Sequence, residues 1–444
     1  MKKIISALAV SALVFGSAAA KTSVNLNYRN GALLYQHTNN GEDDAANVKK
    51  STFGSLNSYN GGQDTMSFKA SGDILDFQLD VQPSIKNASG NDKLRFNVIK
   101  IGAKWGDFHV QSGWNGDGIN GGYRVTNDAS NHEGSLFETF KLGSAFKTSF
   151  SKYADNQICI PTIFSDRTFY GQADYTIKAD DLKVNLKGTV ISDRAWEASE
   201  LSATEWNTGD KGWSIFADVA LGKKFKTEAF VKGANVTAKK KGETAADSRM
   251  LLVPGLYFQW LGTENLIATV GGAATLYDGD LSDYSADLRV RYAVNDQLSI
   301  TYYLKYSALD TDKFIGAKAS GGSAYAANAA VDKNIGYGST AFTTDAVLWN
   351  FINARYKMGP VLTVACSLGA LTDLGDGKVA TGKETANGTT IVLHPNAEFT
   401  AGKGASIICG LQASFQGLGA DKDSSFGENT DVGFAIPVLF RVKM

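Results

Sequence analysis

The sequence predicts an all-β chain, a single transmembrane antiparallel up-and-down β-barrel of about twenty strands (roughly 18–22). Three observations lead there. Apolar and polar residues alternate with period two in runs of about ten residues, longer than the usual strand of a soluble protein. Short turn signals and long polar stretches succeed one another along the chain. The N-terminus has the build of an export signal.

Taken in order, Lys2 and Lys3 precede an apolar run from Ile4 to Phe15, followed by Gly16-Ser17-Ala18-Ala19-Ala20. Positive, then apolar, then small is the order of a cleaved secretory signal, with Ala18 and Ala20 before the cut. Residues 1–20 are therefore read as signal peptide and 21–444 as the barrel, with Lys21 as mature start. No cysteine follows the apolar run, which argues against a lipid anchor. Beyond Lys21 no apolar stretch approaches the roughly 18 residues of a membrane helix. With 47 Gly and 6 Pro the chain suits a sheet with many tight turns. A formal net charge of −1, with both signs mixed along the chain, suggests no nucleic-acid surface. Three cysteines exclude a disulfide-dense scaffold. Cys159 falls in an expected loop, and Cys366 and Cys409 on the apolar faces of two strands not paired with each other.

The strands follow from parity. Leu75, Phe77, Leu79 and Val81 oppose Asp76, Gln78 and Asp80; Leu182, Val184, Leu186 and Val190 oppose Lys183, Asn185 and Lys187. Trp213, Ile215, Ala217, Val219 and Leu221 oppose Ser214, Phe216 and Asp218. Tyr284, Ala286, Leu288, Val290 and Tyr292 oppose Ser285, Asp287, Arg289 and Arg291, and the next strand sets Leu298–Tyr306 against Lys305 in the same manner. Pro254, Pro395 and Pro437 fall inside expected strands, where proline removes a ladder donor, and are read as bulges or strand ends. Over 347–357 the parity is ambiguous, because Asn350 and Asn353 cannot share a face.

Short turns are expected near Ser71-Asp73, Gly102-Gly106, Gly143-Ser144, Ala179-Asp181, Gly222-Lys224, Gly262-Asn265, Asn295-Gln297, Gly359-Pro360 and Gly402-Gly404. Between them lie long polar stretches, among them Gly31–Asp64, Trp114–Gly134, Ser151–Arg167, Asp278–Asp283 and Ala308–Asp345. Aromatic residues at expected strand ends, including Trp105, Trp213, Trp260, Tyr175 and Tyr257, suit interfacial girdles. In the last strand Val432, Phe434, Ile436, Val438, Phe440, Val442 and Met444 form one apolar face running to the end of the chain.

That last strand resembles the C-terminal strand of Gram-negative outer-membrane proteins, apart from ending in Met444 rather than an aromatic residue. Over nearly the whole mature chain the pattern resembles outer-membrane β-barrel porins in general, with no signature of a particular family. The resemblance implies a bacterial outer-membrane location, short periplasmic turns, long outer loops, membrane lipid as a partner and, by analogy, a homotrimer.

A barrel of this size leaves a lumen that strand side chains cannot fill. The first alternating segment, Ser23–Arg29, begins almost at the mature start, so a preceding plug domain is not expected. The expected function is a channel for passive diffusion of small hydrophilic solutes or ions, with Ala308–Asp345 as the candidate constriction loop. The competing reading is a barrel whose loops act in adhesion or host contact. The expected pore lining comprises Arg289, Arg291, Lys305, Asp287, Lys183, Lys187, Asp76, Asp80, Asp218 and Glu398, with Lys224, Lys226, Lys232 and Asp174 on the same face. Arg289, Arg291 and Lys305 form the densest basic group and point to a weak preference for anions. No compact His or Cys ligand set, Walker loop or nucleophile elbow occurs, so neither cofactor nor enzymatic activity is expected. His109 and His394, placed toward the lumen on distant strands, are read as solvated side chains rather than parts of a hydrolase site. Asn115–Asn120 has calcium-like oxygen spacing without the closing Glu.

Overall fold

The computed structural model describes residues 21–39, 47–49, 65–84, 93–114, 169–191, 207–238, 247–277, 279–309, 346–374, 389–402, 404–418 and 431–443. Every regular element among them is a strand, and all twenty belong to one antiparallel sheet. In chain order they are β1 (Lys21–Asn39), β2 (Asn47–Lys49), β3 (Thr65–Ser71), β4 (Leu75–Ser84), β5 (Lys93–Trp105), β6 (Phe108–Trp114) and β7 (Phe169–Ala179). There follow β8 (Leu182–Ile191), β9 (Asn207–Leu221), β10 (Phe225–Ala238), β11 (Asp247–Thr263), β12 (Leu266–Tyr277), β13 (Asp280–Ala293) and β14 (Leu298–Leu309). The last six are β15 (Ala346–Lys357), β16 (Leu362–Asp373), β17 (Thr389–Thr400), β18 (Ala405–Gly410), β19 (Gln412–Leu418) and β20 (Asp431–Lys443).

From β3 to β17 each strand pairs with the next. β18 and β19, separated only by Leu411, both lie between β17 and β20. β1 pairs through its first half with β3 (Lys21↔Ser71) and through its second with β20, from Asn27↔Lys443 to Asn39↔Val432. Up-and-down order places the short turns at one end of the sheet, except the β12–β13 turn at Gly279, which lies at the other. Gly106 closes one such turn with φ +60 and Asp180 another with φ 47, a left-handed conformation that Asp tolerates better than most side chains.

The prolines are explained by their ladders. Pro437 lies opposite the bulge between Leu33 and Tyr35, and Pro395 faces the β18/β19 break, where Leu411 N–H donates to its carbonyl. At Val253–Pro254 the pairing with β12 lapses between Leu252↔Leu276 and Gly255↔Ala273. A residue without an N–H sits where the ladder is interrupted.

Several expectations are corrected. β1 continues to Asn39, so no loop begins at Gly31. β5 runs through Gly102 to Trp105, and the turn is Gly106-Asp107. Asp278–Asp283 is not a long loop, since β13 already begins at Asp280 after Gly279 at φ +89. Lys224 lies in the β9–β10 turn rather than on a strand. The strand pair expected around Gly143-Ser144, the loop Ala308–Asp345 beyond Leu309, Asn115–Asn120 and Cys159 lie outside the described residues; β6 pairs directly with β7.

The two faces have inverted polarity. Large apolar side chains are widely exposed on one face, as with Ile101 at 60% and Leu256 at 59%, joined by Val190, Ile215, Val270 and Phe440. Charged and polar groups, including Lys187, Glu228, Lys232, Arg289, His394 and Glu398, are buried on the other. In water the hydrophobic effect drives the opposite arrangement. Asn350 and Asn353 are now separated: Asn353 is buried on the polar face and donates to Ser367 Oγ at 2.7 Å. Asn350 shares the parity of Ile352 on the apolar face, where the Tyr302 hydroxyl donates to its Oδ1 at 3.0 Å.

Candidate functional site on the polar face

The register brings the charged side chains expected as a lining onto one face, because inward parity is carried unbroken from strand to strand. They are not a uniform row of solvated charges. Asp80 accepts from Ser67 Oγ and from Gln78 Nε2, the latter at 2.8 Å. Lys187 is buried with its amine 4.2 Å from the Phe216 ring centre, and Arg289 is buried with its guanidinium 5.1 Å from Tyr303. Both contacts fall within cation–π range. Lys305 is directly opposite Asp287 and diagonal to Arg289, while Arg291 is half-buried opposite Thr301. Asp218 is half-buried between Asn185 and Glu228 in the register, and Lys183 is exposed near the short-turn end.

Three arrangements were not legible beforehand. Arg355 Nη2 donates to Glu398 Oε2 at 2.9 Å, reaching across β16, with side-chain exposures of 11% and 9%. His109 on β6 stands between two carboxylates, with Nδ1 2.9 Å from Asp174 and Nε2 3.2 Å from Asp76. The contact with Asp76 crosses β5 above Gly102, where a Cβ would lie 2.0 Å from Asp76 Oδ1 and 2.6 Å from His109 Nε2. Only glycine leaves that crossing open.

The third is an aromatic stack on the polar face. Phe216 and Phe230 lie 5.6 Å apart, and Phe230 and Tyr257 5.9 Å apart, at interplanar angles of 28° and 12°. Phe230 lies over Gly255 and Tyr257 over Gly271, each glycine lacking the Cβ that would strike the ring. Tyr257, expected in an interfacial girdle, is fully buried. Its shared parity with Gln259 is the signal that places it there. Trp105, Trp260 and Tyr175 are exposed on the apolar face close to short turns, as expected.

Near the short-turn end, the polar face opens into a cavity of about 590 Å³ over β5–β10, lined by Lys100, Lys183, Lys187 and Lys226 together with Asp174, Asp218 and amides. The apolar face bears a separate depression of about 690 Å³, lined by small or apolar groups that include Ala354, Cys366, Cys409 and Ile436. Neither Cys366 nor Cys409 is in a disulfide. Among the described residues no cluster of His, Cys, Asp and Glu could hold a metal ion.

No family model matches the chain, and no curated protein matches it. Solved outer-membrane proteins do resemble it. The outer-membrane channel DcaP of Acinetobacter baumannii is 11% identical with a TM-score of 0.43, covering 96% of this chain and 97% of that one. OpdO of Pseudomonas aeruginosa is 10% identical, with a TM-score of 0.49 and coverage of 96% and 97%. The outer membrane protein OprD of Pseudomonas aeruginosa is 13% identical, with a TM-score of 0.47 and 96% coverage of both chains. Each of these likenesses runs over nearly the whole length of both chains.

Proposed function

We propose that this chain is a transmembrane β-barrel channel of a bacterial outer membrane that passes small hydrophilic solutes or ions by diffusion. The inverted polarity of the sheet carries the reading. An exposed apolar face needs a non-aqueous surrounding, and strands tolerate hydrocarbon only when every backbone group is paired in a closed sheet. The β1–β20 register supports closure. With β2 set aside as a short spur and β18 and β19 counted as one, the twenty strands make eighteen staves. Barrels of about that size enclose aqueous channels.

Residues 1–20 are cleaved as a signal peptide in this reading, and intact-mass measurement of the exported protein should place the mature start at Lys21. The polar-face residues Arg289, Arg291, Lys305, Asp287, Lys183, Lys187, Asp76, Asp80, Asp218 and Glu398 act as lumenal groups that set the field along the route. A homotrimer is the assembly the resemblance implies, and the depression beside Ala354 and Cys366 offers small side chains against which another copy can approach. Light scattering in detergent should then report three copies.

The decisive experiment is single-channel conductance of refolded mature protein in a planar bilayer. Stable ohmic steps are expected. Folded, inserted and electrically silent protein would overturn the channel reading. It would favour display of the long connections, which the strand order gathers at one end.

A further inference from the structure

We propose that His109 is a proton-operated latch at the short-turn end of the polar face: as imidazolium it ties Asp76 to Asp174, and as the neutral ring it releases Asp76 and makes the lumen more favourable to cations. The effect on ions rests on the channel reading; the latch itself does not. The ring stands where a histidine carrying one proton fits badly. Nδ1 lies 2.9 Å from Asp174 Oδ2, and Nε2 lies 3.2 Å from Asp76 Oδ2. A neutral imidazole has one N–H, so its other nitrogen presents a lone pair to a carboxylate oxygen. Only the imidazolium is attracted at both ends. Histidine is also the side chain whose charge ordinarily changes between about pH 5 and 8.

The two ends of the latch differ. Asp174 also accepts from Asn185 Nδ2 at 3.4 Å and stands opposite Lys187 in the register. Asp76 is half exposed, and His109 is its one ion-pair partner among the described residues. Nε2 is buried and has no hydrogen-bond partner among them, so the hold on Asp76 is one of charge. A ring that loses its charge therefore keeps Asp174 through the Nδ1 proton and lets Asp76 go. Facing the ring from the neighbouring strands are Asp76 on β4, Lys100 and Lys104 on β5, Asp174 on β7 and Lys187 on β8. Carboxylates and ammonium groups ordinarily hold their charge over the range in which histidine changes. The histidine and its two carboxylates thus go from one net negative charge to two, at the wall of the cavity that His109 and Asp174 line. β5 passes beneath the latch at Gly102, where a Cβ would stand 2.6 Å from His109 Nε2 and 2.0 Å from Asp76 Oδ1. Both atoms lie at side-chain ends that can turn aside, so Gly102→Ala parts the pair without removing a charge.

Two measurements on refolded mature protein test this. The first is the reversal potential in a planar bilayer under a potassium chloride gradient, followed from about pH 5 to about pH 9. The potassium-to-chloride permeability ratio should rise about twofold, the effect of one charge about 10 Å away through water. His109→Gln should abolish the rise. The second is a double-mutant cycle of His109→Gln with Asp76→Asn, read by guanidinium unfolding in detergent micelles. At about pH 5 the two residues should be coupled by about two- to fivefold in the folded-to-unfolded ratio. At about pH 9 the coupling should vanish, and in a Gly102→Ala background it should be absent throughout. A flat permeability ratio in conducting protein, or the same rise in folded His109→Gln, overturns the proposal. So does coupling that is equal at both pH values. Coupling that disappears with rising pH in protein without conductance leaves the latch standing and removes the channel.

Discussion

Replacing Arg355 by Met tests whether the polar face is a low-dielectric interior or a solvated wall. The Arg355–Glu398 pair is single-toothed at 2.9 Å, and Arg355 Nη1 is buried without a hydrogen-bond partner among the described residues. Removing the arginine leaves the Glu398 carboxylate buried and unpaired, a loss of about 3–5 kcal/mol for a buried pair. One bond rather than two places the expected loss near 3 kcal/mol, roughly a hundredfold in the folded-to-unfolded ratio. The double variant Arg355→Met/Glu398→Leu should return to within about 1 kcal/mol of wild type, because neither charge remains. Guanidinium unfolding in detergent micelles, followed by tryptophan fluorescence, measures all four corners of the cycle. If each single change shifts stability by less than about 0.5 kcal/mol and the double is their sum, both groups are hydrated and the interior reading is refuted.

Three further outcomes are expected from the same unfolding assay. Gly271→Val should cost about 1–3 kcal/mol, since its Cβ would come 2.1 Å from the Tyr257 ring. Gly188→Val, with nothing within 4 Å, should cost far less. Asn353→Leu should cost about 1–3 kcal/mol by orphaning buried Ser367, whereas Asn350→Leu on the apolar face should shift stability by no more than about 1 kcal/mol. In the Gly106-Asp107 turn, a hydrogen bond from Lys178 at 2.7 Å holds the Asp107 carboxyl below its ordinary value of 3.8. Its contribution is therefore complete above that value and lost as pH falls through the lower folded one, so Lys178→Gln should lower stability slightly at neutral pH and not in strong acid, where Asp107 is protonated in both proteins. A difference confined to strong acid would contradict that sign.

The two faces were legible because parity belongs to each strand by itself. Lys183, Asp218, Arg289 and Glu398 could be assigned to the polar face before any pairing was known. What the residues meet depends on neighbouring strands, and register is not written in any single segment. Hence Arg355 and His109 went unnoticed as partners of Glu398, Asp76 and Asp174. Glycine misleads twice: its composition marks Gly102 as a turn and Gly31 as a loop start, whereas both lie inside strands. At Gly102 the missing Cβ serves the crossing side chains, a demand made by β4 and β6 and invisible in β5. The acidic run Asp278–Asp283 looked like loop, although one glycine at φ +89 suffices for the reversal.

The pairing of β1 with β20 bears on how the molecule comes into being. Every other neighbour in the sheet is near in sequence, whereas Asn27 meets Lys443 across about four hundred residues. Closing so long a loop costs roughly 4–5 kcal/mol more entropy than a two-residue hairpin, and that cost falls on the final contact. In the proposed membrane barrel, until that contact forms the sheet has two raw margins whose amides and carbonyls find no substitute partner in hydrocarbon. Half-assembled forms are therefore penalised by the lipid itself. In the barrel proposed above, entry into the bilayer and the meeting of β1 with β20 form one cooperative event.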